Sequence, residues 1–180
     1  EFRRVLFRSF SIATPFFSIP DPAIASADEL KFASCPAIFL TLTIENTEEE
    51  EWEGFFALQH EGQYWAPLPA GGPGGLKGFM SQERIGFATQ DEGVEFCDFS
   101  VERALQHEHT NPVFRLGSVA GIAFRVPPGE RRELNLVLGG YIEGQATFNH
   151  AARFWYTRHF GDLHEVLSYA LENCGRYMAE

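Results

Sequence analysis

The chain is poor in cysteine, in cations and in long apolar runs, and each shortage removes a class of function. Three cysteines stand among 180 residues, Cys35, Cys97 and Cys174. They are odd in number, far apart and form no CxxC pair, so neither a disulfide framework nor a zinc site is indicated, and a reducing cytoplasm is the expected setting. Lysine and arginine total 14 against 25 aspartates and glutamates, a formal charge of −11 with a pI near 5.0. Such a balance argues against partners held by phosphate neutralisation, nucleic acid and anionic membrane alike, and a neutral small molecule such as a sugar fits better. No apolar run approaches the ~20 residues that a membrane-spanning helix requires. The glycine-rich GGPGG at 71–75 lacks the Lys and Ser/Thr of a phosphate loop and does not lead into a helix, so no nucleotide and no other cofactor is expected.

What is present is aromatic and β-rich. Phenylalanine alone supplies 18 residues, a load that suits sandwich cores and sugar-contacting surfaces equally. Residues 1–9, EFRRVLFRS, are set aside: the apolar part is too short for a secretory signal and is broken by Arg8, whereas the string matches the translation of a common sequencing-library adapter. Native sequence is then expected from Phe10. The segment 10–17 has strand composition with Pro15 confining it to an edge, and 18–34 reads as a connection with a helical turn at 28–31. In 36–46, Ile38, Leu40, Leu42 and Ile44 alternate with Phe39, Thr41, Thr43 and Glu45, the period of a strand. Further strands are read at 52–60, 84–90, 94–100, 113–116, 119–126 and 132–141. Hairpin turns are expected at 47–51, at Asp91-Glu92-Gly93 and at Pro127-Pro128-Gly129-Glu130. The pattern predicts a mainly β fold, a two-sheet antiparallel β-sandwich over 10–148, followed by a helical connector at 149–180.

Few residues suggest chemistry. Tyr64 and Trp65 open a long Gly/Pro-rich stretch at 61–81 that reads as a structureless loop; they are the first candidate for stacking on a sugar ring, against the plainer reading that they cover a sheet edge. His107 and His109 lie two apart with no third ligand nearby, and Glu48 to Glu51 read as a solvated turn, so no metal site is expected. From Asp162, a suitable N-cap with Glu165 three residues on, the apolar residues Leu163, Val166, Leu167, Ala170, Leu171, Cys174, Tyr177 and Met178 form one helical stripe. With no stop signal after it, the stripe is expected to be half of an interface whose partner lies beyond residue 180.

The strings CPAIFLTLTIENT, DEGV, RLGSVAGIAFRVPPGE and above all FWYTRHFGDLHEVLSYALEN resemble the N-terminal domain of glycoside hydrolase family 52, the β-xylosidases. Tyr156-Thr157-Arg158 and Tyr169-Ala170-Leu171-Glu172 are the most specific pieces, and the likeness covers roughly residues 15–180; a related architecture occurs in family 116 β-glucosidases. The resemblance implies a sandwich that precedes a helical α/α barrel, the barrel holding both catalytic carboxylates of a retaining mechanism. No residue of this chain is then catalytic, and the chain alone is expected to be silent. The implied partners are a xylo-oligosaccharide or an aryl or alkyl xyloside, the chain's own catalytic domain and, as an option, a second copy. Asn149, His150, Arg153, Trp155, Tyr156 and Arg158 are expected where sandwich meets barrel; on one reading they pack the interface, on the other one or two of them bind substrate. A stand-alone carbohydrate-binding or adhesive sandwich is the alternative.

Overall fold

The computed structural model describes residues 7–14, 18–69, 75–106, 116–147 and 151–179. These form a six-stranded antiparallel sheet facing a three-stranded one. The larger sheet runs β1 (Phe7–Ala13), β2 (Ala37–Glu45), β9 (Arg131–Gly140), β6 (Ile85–Thr89), β5 (Lys77–Ser81) and β4 (Ala66–Pro67); the smaller runs β3 (Trp52–Gln59), β8 (Val119–Val126) and β7 (Val94–Asp98). A separate ladder pairs β10 (Gln145–Thr147) with β11 (Ala151–Arg153). The expected two-sheet sandwich with a helical C-terminal part is what the chain forms. Strand β1 includes three residues of the segment set aside above, and its register against β2 shifts between Phe7 and Ser9.

The alternation in β2 works on two fronts, because the larger sheet is covered on both faces. Leu40, Leu42 and Ile44 join Leu134, Leu136, Phe79 and Phe87 against Ile122, Phe124 and Val126 of the smaller sheet. On the opposite face Phe39, Ala88 and Val137 pack against α1 (Ala27–Ser34), α3 (Leu163–Glu172) and α4 (Cys174–Ala179). A minor cluster, Phe96, Val119 and Ala123, meets Ala104 of α2 (Val101–Ala104) behind the smaller sheet. Helix α1 extends beyond the expected single turn because Ser26 and Glu29 form a reciprocal capping box.

The three expected hairpins are not hairpins. Strands β2 and β3, β6 and β7, and β8 and β9 lie in different sheets, so each turn carries the chain across the sandwich. Period-two alternation cannot tell these cases apart: strands paired side by side and strands packed face to face both turn every second side chain inward. Long-range bonds hold the crossings. Asn46, 4% exposed, donates from Nδ2 to the carbonyls of Glu50 (2.9 Å) and Val126 (2.8 Å), and its backbone N–H donates to Glu130 (2.8 Å), tying the first crossing to the third. Arg132 donates to the carbonyls of Arg125 (2.9 Å) and Glu92, joining the third crossing to the second. The tight β5–β6 hairpin turns on Gln82 and Glu83, at φ 53° and 55°, with no glycine to advertise it. The stretch 61–81, expected to be structureless, contains β4, β5 and a bridge between Trp65 and Gly117. The expected strand at 113–116 and the His107/His109 pair fall wholly or largely outside the described residues.

The C-terminal stripe is also corrected. Leu163, Val166, Leu167, Ala170, Leu171, Cys174 and Tyr177 are all buried, with only Met178 left out, because the sandwich's own larger sheet is their partner. The approach is close where Gly86 and Gly139 stand opposite each other on β6 and β9. A Cβ on Gly139 would sit 2.9 Å from Leu167, and one on Gly86 3.0 Å from Leu163. Asp162 caps α3 as expected, accepting from the Glu165 N–H at 2.8 Å, but the Glu165 carboxylate takes the Gly161 N–H (2.6 Å) rather than that of Asp162. Beyond a break at Asn173, α4 brings in Tyr177, whose ring stacks between Phe32 (3.9 Å) and Phe39 (4.3 Å) and whose hydroxyl donates to the Phe32 carbonyl at 2.6 Å.

Two expectations follow. Leu167→Ala should cost about 2–5 kcal/mol in urea unfolding of this chain alone, and Gly139→Ala about 1–3 kcal/mol by overpacking. Because the two side chains compete for one space, the double variant should lose measurably less than the sum. Burial pushes the Cys35 thiol up to about 12, whereas the unfolded chain releases that proton near pH 8.5. The stability this group contributes is therefore complete below about pH 8.5 and declines towards pH 12, by up to ~1.4 kcal/mol per unit. Unfolding measured at about pH 8 and about pH 10 should show the loss, and Cys35→Ala should reduce it, with burial of the Cys174 thiol, also pushed up, keeping a remainder.

Candidate functional site

Four of the eight residues singled out in the sequence, Arg153, Trp155, Tyr156 and Arg158, share one short segment. After β11, a chain that cannot continue its two-stranded ladder folds into a 3-10 turn, Trp155–Arg158, before Asp162 starts α3. The turn closes on itself: the Thr157 hydroxyl donates to the Phe154 carbonyl at 2.7 Å, and the His159 N–H to that of Tyr156 at 2.9 Å. Tyr156 pins it to the sandwich. Its hydroxyl accepts the Ile142 N–H at 2.9 Å and donates to the Ile142 carbonyl at 3.3 Å, and its ring meets Tyr141 edge-on at 5.9 Å. Phe160 and Tyr169 hold the far end, each with the Lys31 ammonium of α1 about 5 Å from its ring.

The outward side of this turn is aromatic. Phe154 is 39% exposed and stacks on Tyr156 at 5.6 Å, and Trp155 is 41% exposed with the Arg158 guanidinium 4.2 Å over its ring. Arg153 and Arg158 are both exposed. His159 stands 6.2 Å from Trp155, and its Nε2 is buried without a hydrogen-bond partner. Beside Tyr156 opens an apolar groove of about 440 Å³ lined by Ile38, Ile85 and Leu138, which pack against the inter-sheet core, and by the exposed Ile142. Asn149 and His150 lie outside the described residues.

Tyr64 and Trp65 part company despite being neighbours. Tyr64 is 59% exposed, whereas Trp65 is 2% exposed, edge-on to Phe87 at 5.5 Å and His60 at 6.2 Å within the inter-sheet core. Stacking on a ligand is therefore open to Tyr64 and closed to Trp65 in this arrangement. The neighbouring β bridge to Gly117, invisible in the sequence, turns Trp65 inward.

Several acidic residues are tied into the fold. Glu53 and Glu51 face Arg125 at 3.4 and 3.6 Å beside a charged groove of about 550 Å³ that Lys77, Glu92 and Arg132 also line. Asp91 accepts the Asn135 N–H at 2.6 Å at the edge of another of about 560 Å³. Among the described residues no group of three His, Cys, Asp or Glu side chains is placed to hold a metal ion, and no helix is long and apolar enough to cross a membrane.

The model of one family, glycosyl hydrolase family 52, matches residues 3–180. The chain belongs to that family. Two proteins of Geobacillus stearothermophilus, each described as a beta-xylosidase, are similar to it. One is 31% identical over 173 residues, 91% of this chain and 24% of the relative; the other is 25% identical over 174 residues, 93% of this chain and 28% of the relative. This family 52 chain thus spans about a quarter of the length of the curated relatives it matches. Removing the Tyr156 hydroxyl from it as Tyr156→Phe frees both backbone groups of Ile142 and should lower stability by roughly 0.5–1.5 kcal/mol per lost bond at most, read by urea unfolding.

Proposed function

We propose that this chain is the accessory β-sandwich of a retaining β-xylosidase that removes terminal xylose from xylo-oligosaccharides or from aryl and alkyl xylosides. The observation that carries the reading is the family match over 3–180 together with two similar proteins described as beta-xylosidase. A retaining mechanism needs two carboxylates roughly 5 to 5.5 Å apart, one attacking the anomeric carbon and one protonating the leaving oxygen. Both belong to the remainder of the parent chain, a helical catalytic domain. Of the acidic residues beside the grooves of this portion, Glu53 pairs with Arg125 and Asp91 accepts from the Asn135 backbone, which suits a supporting role. The sandwich positions the Phe154–Arg158 turn at the rim of the sugar site, and Arg153, Trp155, Tyr156, Arg158 and the exposed Tyr64 are its candidate contacts; Trp65 serves the core. Three cysteines, none of them in a disulfide among the described residues, fit a cytoplasmic enzyme. A second copy of the parent is a further partner this reading allows. A self-sufficient binding module finds less support, since both faces of the larger sheet are already covered.

The test is an assay of the full-length parent on para-nitrophenyl β-xyloside and β-glucoside, with the product anomer followed by proton NMR. Expected are a preference for the xyloside, a β-configured first product and no turnover by the 180-residue chain alone. A preference for the glucoside, an inverted product, or hydrolysis by the chain alone would each sink the assignment.

A further inference from the structure

Resting on that reading, we infer that the open face of Trp155, backed by Arg158, is a stacking site for a neutral pyranose ring of the substrate. Trp155 is 41% exposed although the Arg158 guanidinium lies 4.2 Å over its ring and the His159 ring stands 6.2 Å away, so part of the indole stays open to solvent. An indole face left open in this way accepts either an apolar surface or the C–H face of a sugar. The surroundings favour the sugar. Arg158 is exposed and makes no ion pair among the described residues, so its outward N–H groups are free to bond hydroxyls while its plane stays on the indole. A protein carrying −11 disfavours a phosphate-bearing or otherwise anionic ligand on the same platform, even with one arginine present. The platform is also fixed before anything binds: the Thr157–Phe154 hydrogen bond and the two hydrogen bonds between Tyr156 and Ile142 hold the turn, so stacking orders little that is not already ordered. Tyr156, the next residue of the same turn, lines an apolar groove of about 440 Å³, a concave surface of the kind small-molecule sites use.

The test uses the full-length parent with xylobiose, comparing wild type, Trp155→Ala, Trp155→Phe and Arg158→Ala by steady-state kinetics and thermal unfolding. Trp155→Ala should raise KM about tenfold with kcat within about twofold and Tm unchanged, Trp155→Phe should recover most of the loss, and Arg158→Ala should raise KM about threefold. A lowered Tm with KM unchanged would make Trp155 a packing residue against the rest of the parent and overturn the inference. So would failure of both Trp155 variants to fold. The two readings fail separately: a wild type inactive on xylosides sinks the proposed enzyme, whereas an active wild type whose KM ignores Trp155 sinks only the stacking site.

Discussion

The closeness of α3 to the sheet beneath it is the constraint on which the rest of the molecule depends. Leu167 and Leu163 reach the backbone of β9 and β6 because Gly139 and Gly86, opposite each other across the ladder, present no Cβ. With that floor the larger sheet is sealed on its helical face as well as on its sandwich face, which is why β2 and β9 bury alternate residues in both directions. Two apolar faces on one sheet double the area removed from water per strand, and they make the central strands intolerant of polar substitution on either side.

The same docking sets the aromatic turn. Residues 154–158 span the gap between the β10–β11 ladder and the N-cap of α3, and their position is the sum of two anchors, α3 on the sheet and Tyr156 on Ile142. Lys31 adds a third tie by sitting near the rings of both Phe160 and Tyr169. Phe154 and Trp155 are therefore exposed on a rigid support rather than at the end of a loose loop. On the proposed reading, a surface held this way would lose little conformational entropy on engagement.

The crossings between sheets explain where a local reading succeeds and fails. Strand positions, their inward faces and the cap at Asp162 are legible because each is a matter of near neighbours: side chains two apart in a strand, three and four apart in a helix, a carboxylate three residues from the N–H it accepts. The tight β5–β6 turn was not legible, because Gln82 and Glu83 take positive φ without the glycine that usually marks it. Nor was the split between Tyr64 and Trp65, which depends on a bridge to Gly117 more than fifty residues away.

What the sequence by itself determined is the fold class, the family and the face each element buries, since periodicity and motif spacing are carried by residues close along the chain. Only the tertiary structure decided which elements meet: that three turns cross the sandwich, that the C-terminal stripe finds its partner in the chain's own sheet, and that Trp155 rather than Trp65 keeps an open ring. The physical reason is that an apolar stripe specifies burial without specifying against what. The choice of partner is made by ladders, glycine clearances and buried hydrogen bonds between residues far apart in sequence, of which the bond from Asn46 to Val126, eighty positions away, is the clearest case.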